Sequence, residues 1–410
     1  MSQSEREEGR CQFCPSHLFV LALHTIYINV IFLIISYRTI VLPLSFAVLR
    51  SLFEQVHHRG QLHKTFLPWP TSLRSLCYDR RNYLTMWLWI TGIICFIVAV
   101  RVIYRRQSGV CTSKKSLDGK TAIVTGSSAG IGKETARDLA RRGARVIVAC
   151  RNVQRAQKVA DDIFGTTGNG QVFVKQLDTS DLTSVRTFAK QIIDTEKELH
   201  ILVNNAGIAA PSVKTLTSDG LEMTMATNHF GHFLLTNMLL DLLRKSAPSR
   251  VINVSSQGHK CCKNLVVDDL NYEKRPYPNI LASYGQTKLA NILFTVELAE
   301  RMKGTGVTTN SLHPGVVNTE IVLKTDKKII GHVVGFLFKL MAKDEALGAQ
   351  TTIHLAVSED VENISGEYFA DCKIAKRSEQ AKDRGLAKKL WEMSEMAVSL
   401  TQEDLHYAGK

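Results

Sequence analysis

The stretch "ASYGQTKLANILF" places Tyr284 and Lys288 four residues apart. Residues at positions i and i+4 share one face of a helix, so the phenol and the ammonium would point into the same space. A free tyrosine has a pKa of about 10, and a neighbouring ammonium favours the phenolate form. Such a phenol can exchange a proton with an alcohol or carbonyl oxygen. The same spacing occurs by chance in ordinary helices, so this chemistry depends on the elements that would position the pair.

A glycine-rich turn lies far upstream of this pair. "KTAIVTG" is a short apolar run typical of a buried strand, "KETARDLARRG" is an amphipathic helix and "ARVIVAC" is a second strand. A strand, a glycine turn, a helix and a second strand, in this order, form the unit that binds a pyrophosphate at the N-terminus of its helix. The glycines, spaced G-x-x-x-G-x-G, let the backbone approach phosphate oxygens. The predicted cofactor-binding residues of this turn are Gly126, Ser127, Ser128, Ala129, Gly130, Ile131 and Gly132.

The residues after the second strand indicate which dinucleotide would bind. An NAD site usually places an acidic residue there, which binds the ribose 2′-hydroxyl. This chain has Cys150, Arg151 and Asn152 instead. An acid would repel a 2′-phosphate, whereas a guanidinium can pair with it. Lys133 and Arg155 add positive charge nearby, and the pattern predicts NADP(H) rather than NAD(H).

Strands and helices continue to alternate through "QVFVKQLD", "LTSVRTFAKQII", "HILVNNAG", a long helix from about Gly220, "RVINVSS" and "GVTTNSLHPG". This alternation predicts an α/β fold, a doubly wound and mostly parallel Rossmann-type sheet with helices on both faces. Ligands of such sheets bind beyond the carboxyl ends of the strands. "TGSSAGIG", "NNAG", "VSS" and "HPG" all fall there. Ser255 and Ser256 are expected to end their strand, where a hydroxyl can hold a substrate oxygen.

"TGSSAGIG", "NNAG", "NVSS" and "YGQTK" together resemble the short-chain dehydrogenase/reductase family over about residues 118–400. "VIVACRN", "NHFGHFLLT", "HPGVVNTE" and "GEYFADCKIAKRS" resemble its membrane-anchored retinol dehydrogenases. The resemblance implies a catalytic tetrad of Asn228, Ser256, Tyr284 and Lys288. Asn228 would support a water chain that carries protons, and Ser256 would orient the substrate oxygen. Lys288 would hold the nicotinamide ribose while lowering the pKa of Tyr284.

Further cofactor contacts follow from the same resemblance. "NNAG" would line the adenosine ribose, Asp178 the adenine, and the segment from Pro314 to Thr319 the nicotinamide carboxamide. The implied contacts are Asn205, Ala206, Gly207, Asp178, Pro314, Gly315, Val317 and Thr319, together with Tyr284 and Lys288. No metal site is predicted, because His229 and His232 alternate with aromatic residues as in a packed helix.

Basic charge and apolar segments coincide at the start of the chain. The 410 residues carry a formal charge of +13, and residues 1–120 hold 15 Lys/Arg against 6 Asp/Glu. No nucleic-acid-binding signature accompanies this charge, which flanks apolar segments as a membrane-topology signal does. Met86–Val100, followed by Arg101, predicts a membrane anchor, and the uncharged Leu18–Ile35 is long enough to span a bilayer.

We therefore expect three parts in this chain. Residues 1–85 would be an extension with a membrane segment at about 18–37, residues 86–106 an anchor, and residues 118–400 the catalytic domain. The nine cysteines form no disulfide framework, which favours a reducing compartment. The catalytic domain is expected to face the cytosol, on the endoplasmic reticulum. The oligomeric state stays open, with a homodimer as one candidate.

These features predict an NADP(H)-dependent oxidoreductase that acts on a lipophilic alcohol and its carbonyl, with reduction of retinal to retinol as the first expectation. Two segments leave the substrate open between retinal and steroid, fatty or polyprenoid carbonyls. One is the loop between Ser256 and Tyr284 with its unusual "HKCCKN", and the other is "IIGHVVGFLFKLM", a predicted lid. An NADP(H)-binding scaffold without turnover is the alternative from another class, and the intact tetrad argues against it.

Overall fold

The computed structural model describes residues 71–317 and 342–405, with side chains described from Met86 onward. The chain divides into two compact units, residues 1–86 and 87–410. Of the first unit, only the start of one helix belongs to the described residues. Three predictions fall outside them: the segment Leu18–Ile35, the cofactor contact Thr319 and the lid "IIGHVVGFLFKLM".

Helix α1 spans Thr71–Gln107, and its part Met86–Gln107 is long and apolar enough, by length and composition, to cross a membrane. Apolar side chains of this part, such as Trp87 and Ile93, are more than half exposed. The helix begins at Thr71, and neither Gly nor Pro interrupts it before Met86, where the predicted anchor begins. The boundaries predicted for the anchor and the catalytic domain stay predictions.

The rest of the described chain alternates strands and helices. The strands are β1 (Thr121–Thr125), β2 (Arg145–Cys150), β3 (Val172–Gln176), β4 (Ile201–Asn204), β5 (Ser249–Val254), β6 (Val307–His313), β7 (Tyr368–Ala370) and β8 (Lys373–Ile374). The helices are α2 (Gly130–Arg141), α3 (Val153–Thr167), α4 (Leu182–Thr195), α5 (Gly231–Lys245), α6 (Ile280–Arg301), α7 (Glu345–Val357), α8 (Arg384–Ala397) and α9 (Gln402–Leu405).

The eight described strands form one sheet in the order β3-β2-β1-β4-β5-β6-β7-β8. Strands β1 to β7 pair in parallel, and only β8 runs antiparallel to its neighbour. Strand order reverses between β1 and β4, which is where open parallel sheets bind nucleotides. The predicted doubly wound, mostly parallel Rossmann-type sheet is therefore confirmed.

Strand β1 shows how the sheet builds a core on each face. All five of its residues are buried, as expected for a parallel strand covered on both sides. Ile123 packs into one apolar cluster with α4, α5 and α6, while Ala122 and Val124 pack into a second with α2 and α7. Alternate side chains of one strand thus hold both helical layers to the sheet.

A buried chain of amides and hydroxyls crosses the middle of the sheet. The Asn204 amide of β4 donates to Thr236 on α5 at 2.9 Å and to the Asn253 side chain of β5 at 2.8 Å. Asn253 in turn donates to Thr295 on α6 at 2.9 Å. These bonds tie the two strands to α5 and α6, the helices nearest the predicted catalytic residues.

The aromatic contacts of Phe233 generate a stability prediction. Its fully buried ring lies 5.5 Å from the Phe294 ring and 4.9 Å from the Trp391 ring, between centroids. We expect Phe233→Ala to lower the free energy of unfolding by roughly 3–5 kcal/mol, through lost burial and the cavity left behind. Phe164→Ala is the matched control, because Phe164 is 56% exposed on α3. Denaturant unfolding in detergent measures both; equal losses would contradict this account of the core.

Candidate active site

The glycine turn after β1 packs tightly against the "NNAG" segment. Gly126 has φ of +65°, and a Cβ placed on it would lie 2.7 Å from the Cα of Ala206. A Cβ on Gly132 would lie 2.5 Å from Nδ2 of Asn205 and 2.7 Å from the carbonyl oxygen of Gly126. Both positions therefore require glycine, because any side chain would force two backbone segments apart.

The N-terminus of α2 differs from those of its neighbours. Its N-cap residue, Ala129, provides no side-chain hydrogen bond. Helices α3, α4, α6, α7 and α8 each begin with an Asn or Asp that accepts a backbone N–H. The first N–H groups of α2 thus lack a side-chain acceptor, and together with the helix dipole they suit an anion. This arrangement fits the pyrophosphate of a nicotinamide cofactor.

Ser127 helps to shape this turn from inside. Its hydroxyl is buried and donates to the carbonyl of Val124 at 2.7 Å, and it lies 3.8 Å from the sulfur of Cys150. Ser128 and Ile131, also predicted contacts, lie on either side of Ala129 and Gly130 in the same turn. The side chain of Ser127 therefore supports the turn, while the backbone presents donors.

Arg151 lies at the carboxyl end of β2 with 74% of its side chain exposed. Its Nη1 lies 3.8 Å from Oδ2 of Asp178, the predicted adenine contact. Asn152 caps α3 by accepting the N–H of Arg155 at 2.7 Å. Lys133 instead forms an ion pair with Asp162 at 2.7 Å, so Arg151 is the more accessible of these two cations.

The "NNAG" residues have structural partners within the fold. Backbone N–H groups of Asn205 and Ala206 both donate to the Thr125 hydroxyl at 2.9 Å. The amide of Asn205 donates to the Thr125 carbonyl at 2.8 Å, so its side chain fixes the glycine turn. Gly207 follows, and a Cβ on it would lie 3.2 Å from Oδ1 of Asn228 and 3.5 Å from Nζ of Lys288.

Ser256, Tyr284 and Lys288 converge beyond the end of β5. Strand β5 ends at Val254, so both serines follow the strand rather than end it. The Ser256 hydroxyl and the Tyr284 ring both lie within 3.5 Å of a Cβ placed on Gly258, and the Ser256 hydroxyl lowers the pKa of the phenol. Nζ of Lys288 lies 5.5 Å from the centre of the Tyr284 ring and donates to the Val254 carbonyl at 3.1 Å. The i, i+4 pair on α6 thus faces the strand end, as its spacing predicts.

Asn228 reaches the same place from a π-helical turn, Ala226–Phe230, directly before α5. Its Oδ1 accepts the N–H of Ile208 at 2.8 Å. Its Nδ2 donates to the Ile208 carbonyl and to the Thr287 hydroxyl, each at 3.0 Å. Wide helical turns of this kind are frequent at functional sites. Here the turn joins the segment after "NNAG" to the helix of Tyr284.

Burial controls the protonation of this cluster. It raises the pKa of Tyr284 to about 12, although the Ser256 hydroxyl acts in the opposite direction. Burial also lowers the pKa of Lys288 to about 8. The chain's own groups therefore favour a neutral phenol at neutral pH, contrary to the expectation of a depressed tyrosine pKa. Desolvation outweighs the neighbouring ammonium because both charged forms lose water here.

The segment after β6 borders the site. Gly315 has φ of +85°, and its N–H donates to Nδ1 of His313 at 3.0 Å. Pro314 lies between them, and Val316 is 40% exposed. Val317 is buried and forms a parallel bridge with Lys343, so its side chain belongs to the core beside α7.

The histidines of the "NHFGHF" stretch have polar partners in the core. Nε2 of His229 lies 2.9 Å from the Ser394 hydroxyl, and Nε2 of His232 lies 2.9 Å from that of Thr125. Burial lowers the pKa of both rings, to about 3 and about 4. Within residues 71–317 and 342–405, no group of three or more His, Cys, Asp or Glu side chains could hold a metal ion.

Comparisons with known proteins agree with this geometry. The "short chain dehydrogenase" family model matches residues 120–266. Human retinol dehydrogenase 11 is 46% identical over 302 residues, which cover 73% of this chain and 92% of that protein.

The chain belongs to the short-chain dehydrogenase/reductase family, in its retinol dehydrogenase-like group.

Other relatives of this short-chain dehydrogenase extend the comparison. Mouse retinol dehydrogenase 12 is 48% identical over 287 residues, covering 70% of this chain and 88% of that protein. The crystal structure of an uncharacterised Mycobacterium paratuberculosis protein superposes with a TM-score of 0.56 at 33% identity, covering 71% of this chain and 98% of that one. The predicted family and the broad class of an oxidoreductase with a nicotinamide cofactor are thereby confirmed. The roles of individual residues stay predictions.

Three residues of this dehydrogenase's site were missed by sequence reasoning. Thr125 accepts two "NNAG" N–H groups, His232 connects Thr125 with the Asn228 carbonyl, and Thr287 binds the Asn228 amide. Thr125 and Thr287 lie inside the motifs "VTG" and "YGQTK", so the sequence could have indicated that they belong to the site. The contacts of His232 depend on how α5 meets β1, and no local pattern indicates that.

The close contacts of Gly132 yield a prediction about cofactor affinity. Gly132→Ala must displace the Gly126 carbonyl, and with it the N–H groups of the turn. Loss of a charge-assisted hydrogen bond costs about 1.5–3 kcal/mol, so we expect affinity for NADPH to fall roughly 10- to 100-fold. Gly165→Ala is the control, since a Cβ there meets nothing within 4 Å. Energy transfer from protein fluorescence to NADPH measures both; unchanged binding by Gly132→Ala would refute the placement of the phosphates.

Proposed function

We propose that this chain is a membrane-anchored, NADP(H)-dependent oxidoreductase that interconverts a lipophilic alcohol and its aldehyde or ketone, with retinal reduction as its main reaction. The observation that carries the proposal is the convergence of Ser256, Tyr284 and Lys288 at the carboxyl edge of the sheet, the edge at which the uncapped N-terminus of α2 follows β1. The identity of 46% to human retinol dehydrogenase 11 supports the substrate.

The proton for carbonyl reduction would come from Tyr284. Its raised pKa keeps the phenol protonated at neutral pH, which is the state that a proton donor requires. Ser256 would hold the carbonyl oxygen beside the phenol, because its hydroxyl and the Tyr284 ring lie together next to Gly258. A bound nicotinamide cofactor supplies the hydride, and its oxidised ring carries positive charge. Lys288, whose pKa is lowered to about 8, would bind the ribose hydroxyls and favour transient phenolate.

Asn228 has a supporting part in this proposal. Its amide is saturated by Ile208 and Thr287, which holds the π-helical turn against the segment after "NNAG". We assign it to the proton path behind Lys288, as the family resemblance implies. The amide thereby positions this turn.

The choice of NADP(H) rests on Arg151. Its exposed guanidinium stands at the carboxyl end of β2, the place where the ribose 2′-substituent of a dinucleotide lies in such folds. The 3.8 Å contact with Asp178 orients it towards the predicted adenine side. NADPH is held mostly reduced in the cytosol, so the physiological direction would be reduction.

The membrane anchor would be Met86–Gln107 of α1. Its last turn carries Arg105 and Arg106, a basic flank typical of the cytosolic side. Arg105 pairs with Asp344, the N-cap residue of α7, and the N–H of Gly109 donates to Asp371, directly after β7. The end of α1 therefore meets the carboxyl edge of the sheet, where the site lies. We propose residence on the endoplasmic reticulum with the catalytic domain in the cytosol.

The decisive experiment is NADPH oxidation by membranes that carry the protein, with all-trans-retinal as substrate. We expect turnover in wild type and a loss of about 10²- to 10⁴-fold in Tyr284→Phe, because the proton donor is removed. Tyr277→Phe is the control. Its hydroxyl contacts Glu222 and Ser283, so its rate should stay within a few-fold of wild type.

Two other outcomes would redirect the assignment. If retinal is inert and a steroid, fatty or polyprenoid carbonyl is reduced with the same dependence on Tyr284, the chemistry stands and the substrate changes. If NADPH binds tightly but no carbonyl in the panel is reduced, the protein is an NADP(H)-binding scaffold.

Cofactor preference has its own test. Arg151→Asp should lower the ratio of kcat/KM with NADPH to that with NADH by about 100-fold or more, because an attractive charge becomes a repulsive one. Arg141→Asp, at an exposed position on the other end of α2, should leave the ratio unchanged. A ratio that Arg151→Asp does not alter would refute the proposed recognition of the 2′-phosphate.

A further inference from the structure

His259 follows Ser256 by three residues, at the start of the "HKCCKN" loop. The loop opens with a 3₁₀ turn, Gln257–Cys261, and the Ser256 hydroxyl accepts the N–H of Gly258 at 3.0 Å. The side chain of His259 is fully buried. The carbonyl oxygen of Ser256 contacts His259 twice, at 3.1 Å through its backbone nitrogen and at 2.7 Å through Nδ1 of its ring.

Two backbone groups determine the tautomer of this imidazole. Nε2 lies 3.2 Å from the backbone nitrogen of Ser378. Because a backbone N–H can only donate, Nε2 accepts and carries no proton. In the neutral ring Nδ1 then carries the proton, and it donates to the Ser256 carbonyl, which can only accept. Burial lowers the pKa of His259, which favours the neutral ring that both bonds require.

The contacts of His259 and Gln380 fix the position of the "HKCCKN" loop beside the site. The edge of the ring meets the buried Tyr368 ring at 5.1 Å between centroids. The side chain of Gln380 accepts the N–H of Leu265 at 2.9 Å and donates to the carbonyl of Cys262 at 3.0 Å. His259 and Gln380 thus both fasten the loop to residues 378–380.

The same turn packs against the catalytic helix. A Cβ on Gly285 would lie 2.7 Å from the Gly258 carbonyl, and one on Gly258 would lie 3.4 Å from Cε1 of Tyr284. A shift of the turn therefore moves Ser256 relative to the phenol. Displacements of about 1 Å at such sites cost up to about 10²-fold in rate.

We propose that His259 is a positioning residue for Ser256. Its Nδ1–H holds the Ser256 carbonyl and so sets where the Ser256 hydroxyl stands beside Tyr284. The inference rests on the proposed function, in which Ser256 orients the substrate oxygen. His259 itself touches no reacting atom and acts only through Ser256.

Two substitutions separate the two backbone contacts of the His259 ring. In His259→Asn the amide nitrogen can take the place of Nδ1 and donate to Ser256, whereas in His259→Gln the amide oxygen can take the place of Nε2 and accept from Ser378. We expect His259→Asn to keep kcat for retinal within a few-fold. His259→Gln should lose about 10- to 100-fold in kcat with little change in KM. Equal losses that follow the melting temperatures would show a merely structural role and overturn the proposal.

A double-mutant cycle with Ser256→Ala tests whether His259 acts through Ser256. In the Ser256→Ala background, His259→Gln should have almost no further effect on kcat, because the group that it positions is gone. Losses that multiply independently would refute the inference.

Amide hydrogen exchange over residues 256–262 provides a readout that needs no substrate. We expect faster exchange in His259→Gln than in wild type, with His259→Asn close to wild type. If wild-type protein reduces no carbonyl, the proposed function fails and this exchange still decides the positioning role. Unchanged exchange in His259→Gln would overturn it.

Discussion

The hydrogen bond between the side chains of Asn204 and Asn253 is the interaction on which the site geometry depends. It joins β4 to β5 inside the sheet, and its continuations to Thr236 and Thr295 join these strands to α5 and α6. Apolar contacts alone tolerate small slides between helix and sheet. A buried amide without its partner costs about 1–3 kcal/mol, so this chain of bonds specifies one register. The helix that follows Asn228, α5, and the helix that carries Tyr284, α6, are tied to the sheet as a result.

Desolvation is the second organising effect. Lys288 and His259 are buried and Tyr284 is partly buried, and in each case loss of solvent is the largest cause of the pKa shift. The shift always favours the neutral form, whether the group is an acid or a base. For Tyr284 and His259 the neutral form is also the one that the geometry uses, as a hydroxyl beside Ser256 and as an Nδ1–H donor to it. The apolar surroundings thus set the protonation states, and a few hydrogen bonds set the directions.

The nucleotide-binding part of the site depends instead on backbone N–H groups that no side chain caps. Asn or Asp side chains cap five neighbouring helices, but α2 begins at Ala129 without a side-chain cap. Thr125 and Asn205 meanwhile hold the glycine turn rigid from behind. Rigid support with free N–H groups is what a phosphate site needs, because the donors are already oriented before an anion arrives.

Much of this protein follows from sequence alone. The parallel sheet is predictable because buried strands leave uninterrupted apolar runs such as "TAIVT", and the placement of Tyr284 and Lys288 on one face follows from the period of the helix. The need for glycine at positions 126 and 132 is likewise predictable, because a glycine turn of this kind brings backbone segments too close together for a side chain. These features are local, and a local sequence pattern encodes them.

Tertiary structure decided what depends on contacts between distant segments. The sequence suggests a depressed pKa for Tyr284, but loss of solvent in the folded chain raises it instead. Sequence spacing leaves that loop as an open question beside the substrate, whereas the structure fastens it to residues 378–380 through His259 and Gln380. Burial and the choice of hydrogen-bond partners depend on how distant segments pack together, so a local sequence pattern does not predict them.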